Sequence, residues 1–152
     1  MKVFMLSLLL VLELSAVSPG EIIGKWQSTT QTLNNGTRTI EKEYLHLNAD
    51  RTFSMVILVS LQKEDAFIKD LRIEGSGIWK VWNNTLVAVV NKVKVPSAGE
   101  VYLISQKSLE NLSETFKRRF KNEPIRVMMI ESIDKNNMII FNEKVQKTHY
   151  KR

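Results

Sequence analysis

The punctuation of this chain constrains its fold more than any single motif. Turn-forming clusters recur, and nearly every run between them is rich in β-branched and apolar residues. "GKWQSTTQT" is followed by Asn34–Gly36, "TRTIEKEYLHL" by Asn48–Arg51, and "TFSMVILVSL" by a polar break at Lys63–Asp65. "FIKDLRIEGSGIWKVW" then reaches Asn83-Asn84, which tolerates positive φ and suits a tight hairpin into "TLVAVVNKVKV". Pro96–Gly99 is expected to turn the chain into "EVYLIS", and Asp134–Asn137 to reverse it between "IRVMMIESI" and "MIIFNEKVQKTHY". About eight such strands joined by short turns indicate an antiparallel sandwich or barrel. No linker divides the 152 residues, which suffice for one core and are short for two.

One segment departs from the strand rhythm. In "SLENLSETFKRRFKNEP", Leu109, Leu112, Phe116 and Phe120 recur at offsets of three and four, the spacing of one helical face. Ser108 is the expected N-cap and Pro124 follows the stop, so an amphipathic helix is expected over about 108–121. Its apolar stripe needs a surface. The strand Phe53–Leu61 is apolar on both faces at its middle, so it is expected to be covered on both sides, with the helix a candidate for its outer face; the same two-sided character recurs in Leu86–Val90 and Met128–Ile130.

The first twenty residues stand apart. Lys2 precedes an apolar run from Val3 to Leu12, and small residues follow at Ser15, Ala16 and Ser18. This is the layout of a secretory signal peptide, with cleavage expected between 16 and 20 and a mature domain over 21–152. The run is too short to span a bilayer comfortably, and no transmembrane segment is expected once it is removed. Removal takes one lysine and one glutamate, leaving the formal charge at +6. That excess favours weak attraction to anionic surfaces without identifying a nucleic-acid binder. The absence of cysteine excludes disulfides and thiolate chemistry, so the domain must be held by core burial. Such a chain suits a bacterial periplasmic or secreted setting.

The pattern Gly-x-Trp occurs twice, as Gly24-Lys25-Trp26 and Gly77-Ile78-Trp79. With the strand count, the leader and the cations Lys151 and Arg152 at the far end, the chain resembles a lipocalin-type (calycin) barrel of the small bacterial kind. The stretches "YLHLNADRTF" and "GSGIWKVWNNTLVAV" carry the same likeness. The resemblance implies an up-and-down barrel whose first Gly-x-Trp tryptophan plugs the narrow end, with Lys151 or Arg152 stacked across it. In that family the helix usually follows the eighth strand, whereas here it precedes the last two expected strands.

Residue chemistry narrows the function. A glycine two places before a tryptophan leaves room beside the ring, so Trp26 reads as a packing plug and alternatively as a ligand contact. Trp79 shares the inward parity of Leu71, Ile73 and Val81, whereas Trp82 has the opposite parity. Phe53, Met55, Ile57, Trp79, Leu86 and Met129 form the expected inward lining. Glu41 and Glu43 share the parity of Leu45 and Leu47; at a barrel mouth they would select a cationic or hydroxylated ligand, and on a twisted strand they would simply be solvated.

His46 and His149 lack metal-site spacing, and no nucleophile elbow or phosphate loop occurs, so neither enzymatic activity nor a metal or cofactor is expected. Lys117, Arg118, Arg119 and Lys121 offer a weak anionic contact, or are the solvated side of the helix. The leading expectation is an exported, non-enzymatic protein holding an apolar or amphipathic small molecule. The alternative is a filled-core structural or interaction module that uses its edge or basic helix.

Overall fold

The computed structural model describes residues 16–152, so most of the expected leader lies outside the described residues. A short helix α1 (Pro19–Ile22) leads into β1 (Gly24–Asn34), β2 (Thr37–Leu47), β3 (Thr52–Lys63), β4 (Ala66–Trp82), β5 (Thr85–Ser97) and β6 (Glu100–Tyr102). Helix α2 (Gln106–Asn122) precedes β7 (Ile125–Ile133), β8 (Asn137–Asn142) and β9 (Lys147–Lys151). Eight strands, all but β6, close into an antiparallel barrel with one longer helix packed on it. Each strand pairs with its successor, β5 with β7 across the helical excursion, and β9 returns to β1. The all-β, up-and-down architecture expected from the turns is therefore the one observed.

Strand parity builds the interior. Trp26, Leu45, Leu47, Phe53, Met55, Val59, Leu71, Ile73, Leu86, Met138 and Tyr150 alternate inward and are almost wholly buried. Each such large apolar side chain contributes about 1.5–3 kcal/mol relative to exposure. The hairpins sit where side-chain chemistry permits: Asn35 and Asn83 adopt φ of 49° and 52°, a region Asn enters more readily than most residues. The β2–β3 and β4–β5 turns, the β7–β8 turn and the start of β1 share one end of the barrel. The β1–β2, β3–β4 and β8–β9 turns share the other.

Four local features depart from expectation. Pro96–Gly99 does not reverse the chain: Arg72 pairs with Ser97 and Lys69 with Glu100, so β6 prolongs β5 along the same edge of β4 after a bulge. Proline is tolerated there because β5 has already left β7, their last registered pair being Val89 with Ile125. The final run is two strands rather than one, since Asn142 Oδ1 accepts from the backbone N–H groups of Lys144 and Gln146 and folds the chain over. The helix begins earlier, at Gln106, and its N-cap is Ser105, whose hydroxyl accepts from Ser108 N–H at 3.1 Å. Its main contact with the barrel is to β5, rather than to the outer face of β3.

Candidate functional site

One end of the barrel is closed by the first Gly-x-Trp. The Trp26 ring is 2% exposed, and its Nε1–H donates to Ile22 O at 2.8 Å, drawing the buried Ile22 of α1 beneath it. The Arg152 guanidinium stacks 4.1 Å from the ring centroid and donates through Nη2 to the carbonyls of Glu21 and Ile23. Gly24 adopts φ +136°, a conformation unfavourable for other residues; a Cβ there would make only ordinary contact with Arg152, 3.6 Å from Nε, so the backbone and not the space calls for glycine. Of the two terminal cations, Arg152 covers Trp26, while Lys151 pairs along the strand with Gln27.

The second Gly-x-Trp has a parallel construction at the same end. Trp79 is 3% exposed, donates Nε1–H to Asn48 O at 3.0 Å, and lies under the Arg51 guanidinium at 4.7 Å. A side chain at Gly77 would collide with the Val89 carbonyl, so this glycine lets β5 approach β4 at the bulge.

The other end is open. A chamber of about 750 Å³ enters the barrel between the β1–β2 and β8–β9 turns and the C-terminal half of α2. Its wall is divided. Ser28, Thr30 and Thr32 of β1, Thr39 of β2 and Thr148 of β9 present hydroxyls, whereas Ile57, Val59 and Ile73 of β3 and β4 present aliphatic surface. Phe116 and Phe120, half-buried on α2, roof the chamber, and Arg119 stands beside them at the rim. The hydroxyl-bearing side flanks the seam between β1 and β9, which carries one registered pair, Gln27 with Lys151.

Inside the chamber Arg126 meets Glu43. Arg126 Nη1 donates to Glu43 Oε1 at 2.9 Å and Nη2 to Oε2 at 3.4 Å, with side-chain exposures of 26% and 14%. Nη1 also lies 3.4 Å from Met55 Sδ, which joins the pair to the packed half of the barrel. The adjacent carboxylate holds the guanidinium pKa above its ordinary value, against the opposing effect of burial. Burial drives the neighbouring Tyr150 phenol well above the usual tyrosine range. The chamber lining carries four carboxylates (Glu41, Glu43, Glu123, Glu143) and four cations (Arg119, Arg126, Lys144, Lys147).

The residues expected to line a ligand site therefore divide. Glu41, Glu43 and Ile57 do line the chamber. Phe53, Met55, Trp79 and Leu86 point inward but fill the barrel outside the chamber lining, Met55 directly against Arg126. Met129 is corrected: it is 61% exposed on the outer wall, because pairing of Leu86 with Met128 turns Met128 and Ile130 inward. Of the basic group, Arg119 reaches the chamber rim; Lys117 pairs with Glu114 at 2.7 Å, and Arg118 and Lys121 are exposed. Sequence reasoning missed Arg126 and Tyr150. Only the pairing of β7 with β5 shows that Arg126 shares the inward parity of Met128 and Ile130; the apolar run Val127–Ile130 left that parity open in the sequence.

Fold and site together define a class: a small closed antiparallel β-barrel with one packed end and one open, mixed-polarity chamber, consistent with a lipocalin-like barrel. No protein-family model matches the chain, and no curated protein matches it.

Proposed function

We propose that this is an exported, non-enzymatic binding protein of the small bacterial lipocalin-like kind, which holds an amphipathic small molecule in its barrel. The observation that carries the reading is the chamber of about 750 Å³, with an aliphatic wall facing a hydroxyl-bearing one across a part-buried ion pair. A volume in this range suits a small ligand, and a wall more polar than apolar suits one that carries a polar head as well as a tail. The support is geometric, since fold alone does not assign function.

Export to the periplasm or beyond the cell rests on the leader's layout. Among the expected cleavage positions, a cut after Ala16 keeps the Val17 N–H to Asn84 Oδ1 contact at 3.3 Å and the Ser18 N–H to Glu21 Oε2 bond at 2.7 Å. A cut after Gly20 would remove both.

Native mass spectrometry of protein purified from its own host tests the binding reading. A co-purifying small molecule, or saturable uptake of a fluorescent amphiphile competed by that molecule, is the expected result. A clean apo mass with no uptake would sink it and favour the filled-core interaction module.

A further inference from the structure

We propose that the chamber selects neutral, hydroxyl-rich amphiphiles, with a sugar- or glycerol-type head and an apolar tail, over carboxylates and amines of the same tail length. The inference rests on the reading of the barrel as a binding chamber and specifies the ligand class.

Charge balance is the first observation. The lining interleaves four carboxylates with four cations, one of which, Lys147, is already paired with Glu131 outside it, so no block of one sign is presented to an ionic head. Local pairing is the second. Arg126, the cation nearest the packed half, is engaged by both oxygens of Glu43 and backed by Met55. A ligand carboxylate brought to Arg126 would either displace Glu43 or sit beside its like charge, and an ammonium brought to Glu43 would meet the same conflict with Arg126. Separating a part-buried pair in this way offsets the attraction that the incoming ion gains.

A hydroxyl faces no such conflict. It donates to a free lone pair of Glu43 and accepts from an unused N–H of Arg126 without parting them. Thr30, Thr39 and Thr148 add groups that both donate and accept, matching a head with several hydroxyls. The tail has its own surface in Ile57, Val59 and Ile73, under Phe116 and Phe120.

The test is calorimetric titration of the purified protein at neutral pH with octyl glucoside, octanoate and octylammonium, each below its micelle concentration. The glucoside should bind at least about tenfold more tightly than either ion. An ion that binds as well as the glucoside overturns the selectivity while leaving the binding reading intact; failure of all three to bind overturns both.

Glu43→Gln releases Arg126 from its carboxylate. Octanoate should then gain at least about tenfold while the glucoside changes by less than about threefold. Unchanged octanoate affinity in folded Glu43→Gln protein would overturn the role assigned to the pair. Should the single variant not fold, the double variant Glu43→Gln/Arg126→Gln, which keeps two neutral hydrogen-bonding groups, should still prefer the glucoside. A double variant that prefers octanoate would count against the proposal.

Discussion

The two ends of the barrel use aromatic rings and arginines to opposite effect. At the packed end Trp26 and Trp79 are buried, each donates its indole N–H to a backbone carbonyl, and each lies under a guanidinium. At the open end Phe116 and Phe120 are only half-buried, and Arg119 is exposed at the chamber rim beside them. Covering a ring on every side turns it into structure; leaving one side free makes it a surface for something else. Residue type alone did not decide which end would do which. The backbone around each ring did: Gly24 at φ +136° sets the course of the chain past Trp26, where Arg152 stacks, whereas α2 packs on β5, which β7 leaves after Val89.

This contrast breaks first under Trp26→Ala. Loss of a buried aromatic should cost about 3–5 kcal/mol, read by urea denaturation. A cost under about 1 kcal/mol would mean that the packed end is not the anchor of the barrel. Lost probe uptake at unchanged stability would reassign Trp26 to the ligand.

Next in size is an alkaline effect at Tyr150. Burial raises its phenol above the ordinary 10.0, so the folded chain keeps a proton that the unfolded chain releases. This stabilisation is complete below that value and is lost as pH climbs above it, by at most about 1.4 kcal/mol per pH unit. Tyr150→Phe should flatten the fall in unfolding free energy measured between about pH 9 and 11. Equal slopes in the two proteins would show that the phenol reaches water and that the chamber floor is wetter than its geometry implies.

The smallest stability effect belongs to Phe116→Ser, expected below about 1 kcal/mol because the ring is only half covered. Uptake of a fluorescent amphiphile should nevertheless weaken. A large stability loss without any change in uptake would make the two ends alike.

Much of this fold was legible as a sequence. The Asn-containing turns set the strand count, and odd parity in β2 put Glu41 and Glu43 on the same face as Leu45 and Leu47, where the chamber lies. Parity failed where it had nothing to read. Val127, Met128, Met129 and Ile130 are apolar without alternation, so only the pairing of β7 with β5 decides that Met129 faces out. The same ambiguity hid Arg126. Its partner Glu43 lies 83 positions away, a distance across which no local pattern speaks.

The end of β5 hid for a different reason. Pro96 reads as a turn when its strand is assumed to have neighbours on both sides; on a free edge its missing N–H costs little. Val145, a β-branched residue at φ 59°, carries none of the usual signals of the turn it helps to make between β8 and β9.

The position of α2 also has a consequence for motion. No side chain of the helix is fully buried, and it is joined to the barrel chiefly through β5. Elements with few buried contacts open in local fluctuations that cost far less than global unfolding. Amide protons in α2 should therefore exchange with solvent long before those of Leu45 or Trp26, and the roof of the chamber can lift while every rung of the barrel stays in place.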